Sequence, residues 1–338
     1  MNQYIFLNKK QYQENYIALK KFYGTNPAIC LKNNSYGLGI NDIVLFLDEI
    51  FCDKYFVSSV EEGIIVRNNT KTKCEIYILQ SIFPNKTHLY EKYNLIPAVS
   101  SFDEIDTYKD FLKRVKFILY FDTGMHGKGI LYTEINNLIN NLKTNSIPFE
   151  NIYMILSHLS TSWRNDLENK NSDKNITNKQ KDRFLEIKNI LETYNKNIVY
   201  SLCNTDGSRL GKEYFFNLPR VGRGIHGMSI YKDLLNVQRA FQIKGPITEI
   251  KEIKANTKIG YGGFVSVEKD CFIGIVHIGT EKITRINYKF TNSVLYNGKQ
   301  YNVLTMFLDY IVIDFEKNKP EYLGEVELIF ETRFTADM

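Results

Sequence analysis

Short apolar runs alternate with helical patterns between residues 28 and 224, and this alternation limits the possible folds more than any other feature of the sequence. Segments with apolar residues at helical spacing, such as LYTEINNLINNLK and NKQKDRFLEIKNILETYN, lie between most of the runs. Eight strands separated by helices over about 200 residues are typical of a (β/α)8 barrel, although an open doubly wound sheet produces a similar rhythm. The eight strand-like runs are AICLKNN, KYFVSS, CEIYILQ, NLIPAVSS, VKFILYFDT, IYMILSHL, NIVYSLCN and LPRVGRG.

The pattern changes near residue 238. From there the chain is rich in strand-like runs punctuated by glycine, as in ANTKIGYGGFVSVEKDCFIGIVHIG, with almost no helical spacing. An Asn-Gly pair at 297–298 separates two such runs, which is a strong hairpin signal. We therefore predict an α/β protein with two domains: a (β/α)8 TIM-type barrel over residues 9–235, and a C-terminal all-β domain made of residues 1–8 plus 236–338.

The composition argues against several classes of partner. The net charge is +5, but basic residues are interspersed with acidic ones, so no nucleic-acid groove is expected. The five cysteines lack the spacing of a metal or disulfide framework, so we predict reduced thiols and no metal site. No apolar run approaches the ~20 residues that span a bilayer. Because MNQYIFLNKKQYQEN lacks the pattern of a signal peptide, we expect a cytoplasmic protein.

A lysine stands at the end of the first predicted barrel strand. Lys32 follows AICL directly and precedes the turn-forming residues Asn33, Asn34 and Gly37. In α/β folds the carboxyl ends of the strands usually carry the chemistry, so this lysine lies where a reactive group is expected. A lysine held between a strand and a tight turn can form a Schiff base with an aldehyde. Taken alone, the pattern also fits an ordinary solvated surface lysine.

The residues around Lys32 begin a series of family motifs. LKNNSYGLG resembles the VKANAYGHG signature of the alanine racemase family, fold-type III enzymes that use pyridoxal 5′-phosphate (PLP). Each motif is weak alone, but seven in the family's order are specific. The resemblance extends over nearly the whole chain. The six further segments that are similar to family motifs are YFDTGMHGKGI, ILSHL, SLCNTDGSRLG, RVGRGIHG, IGYGGF and VLTMFLDYIVIDF.

The resemblance implies that most of the cofactor-binding residues lie on the barrel. Lys32 would hold PLP through its amine and act as one of two catalytic bases. Arg220 would face the pyridine nitrogen and leave it unprotonated, because a guanidinium does not readily give up its proton. Main-chain amides in a glycine-containing turn suit the phosphate, which is an anion. The implied contacts to the cofactor, besides Lys32, are Tyr36, His158, Asn204, Thr205, Arg220, Gly222 and Arg223.

Racemisation removes a proton from one face of the substrate Cα and returns one on the other face, so it needs a second base opposite Lys32. The resemblance assigns this role to Tyr261 of IGYGGF. In the family this tyrosine comes from the second subunit, which implies a homodimer with active sites shared across the interface. Leu308 and Asp309 would reach the neighbouring pocket in the same way. Taken alone, a tyrosine in a glycine-rich turn is more typical of an exposed hairpin.

The DTGMHGKG segment departs from the family pattern. Gly127 stands where the family has an arginine that touches both the cofactor and the substrate carboxylate, and Tyr120 replaces the family's supporting lysine. Lys128 or His126 would supply the missing positive charge. A lysine is a point charge and does not reproduce a bidentate guanidinium, so this departure bears on the choice of substrate and on the rate.

These features together predict a racemase of a small amino acid, most simply one that converts L-alanine to D-alanine for peptidoglycan. The change at Gly127 leaves open another amino-acid substrate, such as serine. A PLP-binding protein without racemase activity is a further alternative, but single-domain proteins of that kind lack the β domain and its tyrosine. Decarboxylases of the same fold type place a cysteine-bearing motif where this chain has IGYGGF.

Overall fold

The structure, a computed structural model, describes residues 4–162 and 174–331. The chain separates into two compact units. The first contains residues 9–35 and 39–238, and the second contains the residues up to Asn8, residues 36–38 and the residues from Arg239 onward. The two predicted domains include residues 1–3, 163–173 and 332–338, which lie outside the described ranges. The boundary between residues 235 and 236 remains a prediction.

The helices and strands alternate through the first unit and give way to strands in the second. The strands are β1 (Ile5–Leu7), β2 (Ala28–Cys30), β3 (Lys54–Val57), β4 (Glu75–Ile78), β5 (Leu95–Val99), β6 (Phe117–Asp122), β7 (Ile130–Leu131), β8 (Ile152–Leu156), β9 (Val199–Ser201), β10 (Arg220–Val221), β11 (Phe241–Ile253), β12 (Lys258–Ile259), β13 (Val265–Ser266), β14 (Cys271–Val276), β15 (Phe290–Tyr296), β16 (Lys299–Met306), β17 (Ile311–Asp314) and β18 (Glu325–Phe330). The α-helices are α1 (Lys9–Tyr23), α2 (Ile40–Asp48), α3 (Val60–Asn69), α4 (Thr87–Tyr93), α5 (Phe102–Leu112), α6 (Ile135–Thr144), α7 (Lys174–Leu191), α8 (Lys232–Leu235) and α9 (Thr280–Ile283).

The first unit is a parallel eight-stranded barrel. Its strands follow the order β10-β2-β3-β4-β5-β6-β8-β9, and the short β7 pairs with β6. The two ends of this order are joined by main-chain hydrogen bonds, from Leu218 N–H to Tyr200 O at 3.2 Å and from Arg220 N–H to Cys203 O at 2.9 Å. The predicted TIM-type barrel is therefore confirmed, and the alternative of an open sheet is excluded. Each of the eight predicted runs contains one of the barrel strands.

The spacing of apolar residues explains how the barrel packs. In α1 the buried residues Tyr12, Tyr16, Leu19 and Tyr23 recur every three or four positions, so they form a single stripe on the helix. The strands are buried on both faces, as β5 shows along all five of its residues. The centre of the barrel is filled by a cluster of buried side chains: Ala28, Phe56, Tyr77, Ile96, Ala98, Ile118, Met154, Leu156 and Leu218.

The second unit is a closed antiparallel barrel, as the prediction of an all-β domain required. The strands β11, β14, β17, β16, β15 and β18 form a ring that closes through β18–β11 pairing, and β1 adds to β11. The predicted hairpin joins β15 to β16, with Tyr296 paired to Lys299. Asn297 and Gly298 both have positive φ, 48° and 77°, which matches the right-handed twist of the two strands.

Three further features concern the possible environment and ligands of the protein. Within residues 4–162 and 174–331, none of the helices combines the length and the apolarity needed to cross a bilayer. The same residues contain no cluster of three His, Cys, Asp or Glu side chains suited to a metal ion. All five cysteines are free thiols.

Candidate active site

Lys32 lies just beyond the carboxyl end of β2, at the start of a left-handed turn. The N–H of the preceding Leu31 still donates to Phe56 O at 2.8 Å, so the chain is held to β3 up to this point. Residues 33–36 then have φ between 53° and 57°. This conformation costs L-residues about 1–2 kcal/mol each. Such strain persists only where the surroundings hold it, and it clusters at functional sites.

The Lys32 side chain is half-buried. Its amine makes no hydrogen bond or ion pair with any residue in the described ranges. Burial raises the pKa of the Cys30 thiol. The nearby positive charges of Arg220 and Lys32 act in the opposite direction and lower it. Burial also lowers the pKa of His158 to about 3, and the charges of Arg220 and Lys32 lower it further. The structure therefore brings Lys32, His158 and Arg220 together at one end of the barrel.

Arg220, the first residue of β10, is a buried cation held by main-chain oxygens. Its Nη1 donates to Ser201 O at 2.8 Å and its Nη2 donates to Ser157 O at 2.6 Å. Burial lowers the pKa of Arg220, but a guanidinium remains charged in proteins. No carboxylate within the described residues forms an ion pair with it. A permanent positive charge is thus kept inside the site.

His158, just after β8, is the neutral partner of this cation. Arg220 Nη2 donates to His158 Nδ1 at 3.2 Å. Because a guanidinium can only donate, Nδ1 must be the unprotonated nitrogen of the ring. The ring proton then lies on Nε2, and because Asn204 Nδ2, 3.3 Å away, is also a donor, this contact is not a hydrogen bond. With a pKa of about 3, His158 stays neutral at physiological pH and acts as an acceptor for Arg220.

The loops after β9 and β10 meet at Thr205. The Thr205 hydroxyl accepts hydrogen bonds from the N–H of Gly222 at 3.0 Å and from the N–H of Gly224 at 3.5 Å. Asn204 Oδ1 accepts the N–H of Gly207 at 2.8 Å. A Cβ added at Gly224 would lie 3.0 Å from Thr205 Cγ2, so only glycine fits there without displacement of its neighbours. This turn places a hydroxyl and two main-chain N–H groups at one point.

A buried ion pair ties these two loops together. Arg223 forms a salt bridge with Asp206, and the two side chains are only 13% and 6% exposed. The second oxygen of Asp206 accepts the Ser229 hydroxyl at 3.2 Å. The loop after β9 and the loop after β10 are therefore fixed relative to each other by charge as well as by Thr205.

The groups at this end of the barrel fit a phosphate-bearing aldehyde. A half-buried amine without a hydrogen-bonding partner in the described residues is suited to a covalent bond with an aldehyde. The Thr205 oxygen accepts the N–H groups of Gly222 and Gly224, which leaves the hydroxyl proton to donate to an anion such as phosphate. The buried charge of Arg220 suits a ring nitrogen that accepts a hydrogen bond.

The loop after β6 places Lys128 at the same end of the barrel. Its amine donates to Leu79 O, the residue that follows β4, at 2.6 Å, and burial lowers its pKa. His126, the other predicted source of positive charge, is exposed and has a φ of 57°. At Gly127 an added Cβ would meet nothing within 4 Å. Tyr120 is half-buried in β6, and the charge of Arg220 opposes the rise that burial causes in its pKa.

Four predicted site residues belong to the second unit: Tyr36, Tyr261, Leu308 and Asp309. Tyr36 stacks on Tyr288 with ring centroids 6.2 Å apart. Tyr261 lies 5.4 Å from the ring of Phe307, and its side chain is 87% exposed. Leu308 and Asp309 follow Phe307 in the loop between β16 and β17, and both are exposed.

Tyr261 belongs to a small exposed patch on this unit. Phe264 is 93% exposed and Leu308 is 70% exposed. The segment around Gly260 packs beside Thr305 and Phe307, since a Cβ at Gly260 would lie 3.3–3.6 Å from those side chains. Large apolar side chains gathered on a surface in this way are typical of an interaction site.

Several residues that build the site were not predicted from the sequence. Ser157 and Ser201 hold Arg220, and Asp206 pairs with Arg223. Ser157 lies within the segment ILSHL, and Ser201 and Asp206 lie within SLCNTDGSRLG, so their position beside predicted residues was the available signal. Their roles depend on main-chain oxygens and loop geometry, which residue types do not reveal.

Comparison with known proteins identifies the family. The family model described as "Alanine racemase, N-terminal domain" matches residues 7–230, and the model described as "Alanine racemase, C-terminal domain" matches residues 240–338. Alanine racemase of Rickettsia bellii (strain RML369-C) is 31% identical over 309 residues, covering 88% of this chain and 72% of that protein. Alanine racemase of Rickettsia canadensis (strain McKiel) is 29% identical over 332 residues, covering 96% of this chain and 88% of that protein.

Solved structures share the fold. The crystal structure of alanine racemase from Bartonella henselae with covalently bound pyridoxal phosphate has a TM-score of 0.79 at 23% identity, over 96% of this chain and 90% of that chain. Alanine racemase of Clostridium difficile 630 has a TM-score of 0.81 at 21% identity, over 99% of this chain and 88% of that chain. The two matched family models cover most of the sequence, and the chain therefore belongs to the alanine racemase family.

Proposed function

We propose that this protein is an alanine racemase that interconverts L-alanine and D-alanine with PLP held by Lys32. One observation carries the proposal: a half-buried lysine amine without a counterion among the described residues lies beside the buried Arg220 and its partner His158 at the barrel end. Family membership supports it, because the similar proteins of Rickettsia bellii and Rickettsia canadensis are alanine racemases. The structure of the Bartonella henselae enzyme contains covalently bound PLP.

The chemistry divides between the cofactor and two bases of the protein. When bound, PLP supplies an aldehyde that takes up the substrate amine and an electron-withdrawing ring that makes the substrate Cα–H acidic. Lys32 holds the cofactor and moves the proton on one face of Cα. The Tyr261 phenol moves the proton on the opposite face, so that the configuration is inverted.

The other barrel residues bind and orient. The Thr205 hydroxyl donates to the phosphate while its oxygen holds the N–H groups of Gly222 and Gly224, and the Arg223–Asp206 pair holds that turn in place. Arg220 keeps a positive charge at the ring nitrogen without donating a proton, because its pKa remains far above neutrality. The remaining proposed contacts to the cofactor are Tyr36, Asn204 and His158.

Lys128 is our proposed ligand for the substrate carboxylate. Its amine is fixed at the barrel end by Leu79 O, and it occupies the loop from which the family's arginine is missing. Leu308 and Asp309 complete the substrate pocket. Because the lysine is a single point charge, a second amino-acid substrate such as serine is the alternative that this loop favours.

We also propose a homodimer in which the second base comes from the other subunit. The exposure of Tyr261, Phe264 and Leu308 supports this, since it leaves an aromatic and apolar patch available to a second copy. Isologous dimers use the same patch twice, so each subunit would complete its partner's site. The proposed setting is the cytoplasm, where the product would supply peptidoglycan synthesis.

The function is tested with purified, PLP-loaded protein. We expect L-alanine to lose optical activity, and we expect the absorbance band of the lysine-bound cofactor to disappear in Lys32→Ala. Unchanged L-alanine would contradict the assigned substrate, and a panel that includes L-serine then tests the alternative. If Lys32→Ala kept the same absorbance band, the proposed attachment site would be wrong.

The shared site is tested by mixing two inactive variants, Lys32→Ala and Tyr261→Phe. If each site takes Lys32 and Tyr261 from different subunits, random re-association restores one intact site in each mixed dimer, or about a quarter of the wild-type activity. Activity that stays at zero after confirmed subunit exchange would place both bases in one subunit.

A further inference from the structure

The left-handed turn after Lys32 needs an external restraint. Asn33, Asn34 and Ser35 have φ values of 54°, 53° and 55°, and none of them is a glycine. Side chains of the turn make two of the restraints themselves. Asn34 Oδ1 accepts the N–H of Ile40 at 3.0 Å, and Asn33 Oδ1 accepts the Ser58 hydroxyl at 3.0 Å.

A carboxylate from the neighbouring helix provides the strongest restraint. Glu62 Oε1 accepts the N–H of Asn34 at 2.6 Å, and Glu62 Oε2 accepts the N–H of Ser58 at 2.8 Å. The two oxygens thus bind two different loops, the one that follows β2 and the one that follows β3. Hydrogen bonds from an amide to a carboxylate are shorter and stronger than neutral ones.

Glu62 is itself held rigidly by the start of α3. Ser59 is the N-cap of this helix and accepts the N–H of Glu62 at 3.3 Å. In an ordinary capping box the glutamate returns to the N–H of the cap residue. Here Glu62 instead accepts the N–H of Ser58, one residue before the cap, and the N–H of Asn34 in the loop that follows β2. The start of α3 and the turn after Lys32 are therefore joined.

The same arrangement occurs once more in the barrel. After β5, Ser101 accepts the N–H of Glu104 at 3.2 Å, and Glu104 accepts the N–H groups of Ser100 at 2.7 Å and Ile82 at 3.3 Å. Both segments have the pattern Ser-Ser-x-x-Glu, SSVEE at 58–62 and SSFDE at 100–104. In each case a glutamate at a helix start is bonded to the preceding strand–helix loop. The difference lies in the loop that is held, which for Glu62 is the one that carries Lys32.

We propose that Glu62 is a positioning residue for Lys32. By binding the N–H groups of Asn34 and Ser58 at once, it keeps the left-handed turn formed and thereby fixes the direction in which Lys32 leaves β2. The role of Lys32 as the cofactor-holding base rests on the proposed function, whereas the restraint of the turn does not. Glu62 itself takes no part in proton transfer.

The test compares Glu62→Ala and Glu62→Gln with Asp48→Asn as a matched control. Asp48 also accepts two main-chain N–H groups, from Lys71 at 3.0 Å and Thr72 at 2.9 Å, but it ties the loop between α3 and β4 at the other end of the barrel. Thermal unfolding measures the general loss of stability in each variant. Amide hydrogen exchange over residues 32–39 in the cofactor-free protein reports the turn directly.

We expect exchange over residues 32–39 to accelerate at least tenfold in Glu62→Ala and to stay near the parent rate in Asp48→Asn. Glu62→Gln keeps one acceptor oxygen, so its exchange rate over residues 32–39 should lie between those of the parent and Glu62→Ala. In the loaded enzymes, kcat should fall at least tenfold in Glu62→Ala with a smaller change in KM, and the affinity for PLP should fall as well. Asp48→Asn should keep the parent kcat.

Two results would overturn the proposal. One is unchanged exchange over residues 32–39 in Glu62→Ala, and the other is an equal effect of Asp48→Asn on the turn and on kcat. A parent protein that binds no PLP or leaves alanine unchanged would refute the proposed function instead. The exchange measurement, made without cofactor, still decides whether Glu62 holds the turn.

Discussion

Arg220 donates a hydrogen bond of 3.2 Å to Nδ1 of His158 at the end of the barrel, where Arg220 is buried and His158 is half-buried. The bond determines the protonation of the imidazole, because a guanidinium cannot accept a proton or a hydrogen bond. Burial and the neighbouring cations lower the pKa of His158 to about 3. The pair therefore carries one positive charge, on Arg220, at any pH at which the protein works.

Buried neutral histidines make the protein sensitive to acid. His226, whose Nδ1 lies 3.0 Å from the Tyr12 hydroxyl, also has a pKa lowered to about 3 by burial. Below pH 6.5 the unfolded chain binds a proton at each such histidine and the folded chain does not. The free energy of unfolding should therefore fall as the pH decreases from 6.5, by about 1.4 kcal/mol per pH unit for each histidine.

The contribution of His226 can be isolated with His226→Gln, which keeps an acceptor for Tyr12. Urea unfolding of the parent and the variant between pH 5 and 6.5 should give a steeper pH dependence for the parent, by close to one proton. Parallel curves would mean that His226 takes up a proton in the folded protein over the same pH range as in the unfolded chain.

Removing the Thr205 hydroxyl should weaken cofactor binding. Thr205→Val keeps the shape of the side chain but removes the hydroxyl proton proposed to donate to the phosphate, along with the oxygen that holds the Gly222 and Gly224 N–H groups. We expect the dissociation constant for PLP to rise about tenfold, the equivalent of one hydrogen bond of about 1.4 kcal/mol. Equilibrium titration followed by absorbance measures it. Thr205→Ser should restore the parent affinity, and a Thr205→Val protein that binds PLP as tightly as the parent would remove Thr205 from the phosphate site.

Breaking the buried ion pair should cost far more than breaking an exposed one. Asp206→Asn leaves the Arg223 guanidinium buried without its carboxylate, and we expect a loss of about 3–5 kcal/mol in the free energy of unfolding. Glu281→Gln is the matched control, because Glu281 pairs with Arg285 on the surface. Its effect should be small, since solvent screens exposed pairs. Equal losses in urea unfolding would show that Arg223 finds other compensation.

The Lys128 amine should determine the affinity for the substrate rather than for the cofactor. In Lys128→Met we expect the KM for L-alanine to rise about tenfold, because a charge-assisted hydrogen bond to the carboxylate is lost. The affinity for PLP should be unchanged. Lys143→Met, on the exposed side of α6, is the control. Unchanged KM in Lys128→Met would require another ligand for the carboxylate.

The open space at Gly127 allows a gain-of-function experiment. Since nothing lies within 4 Å of an added Cβ, Gly127→Arg should fold normally. In the Lys128→Met background it should lower the KM for L-alanine again, because a guanidinium binds a carboxylate in a bidentate manner. Gly129→Arg serves as the contrast: its φ is 129° and an added Cβ would lie 2.6 Å from Asp122 N, so we expect misfolding. A Gly127→Arg enzyme with no recovery of KM would place the substrate carboxylate elsewhere.

Much of the fold could be predicted from the sequence because its signals are local. The predicted helical segment LYTEINNLINNLK overlaps α6, Ile135–Thr144, since the buried residues of this helix recur every one to three positions on a single face. The Asn-Gly pair predicted the hairpin between β15 and β16 because both residues readily adopt positive φ. The alternation of runs did not separate a closed barrel from an open sheet. That choice depends on the pairing of β10 with β2 and on the hydrogen bonds from Arg220 to Cys203 and from Leu218 to Tyr200, which join irregular or distant segments.

The sequence by itself determined the order of the strands and helices, the position of Lys32 at the end of a strand, and the family to which the motifs belong. Only the tertiary structure decided which of these groups meet. His158 and Arg220 are 62 residues apart, and Glu62 reaches back 28 residues to the turn beside Lys32. The physical reason is that periodicity and turn chemistry act between near neighbours along the chain. Hydrogen bonds to main-chain atoms, buried ion pairs and the left-handed turn depend instead on contacts that exist only after folding.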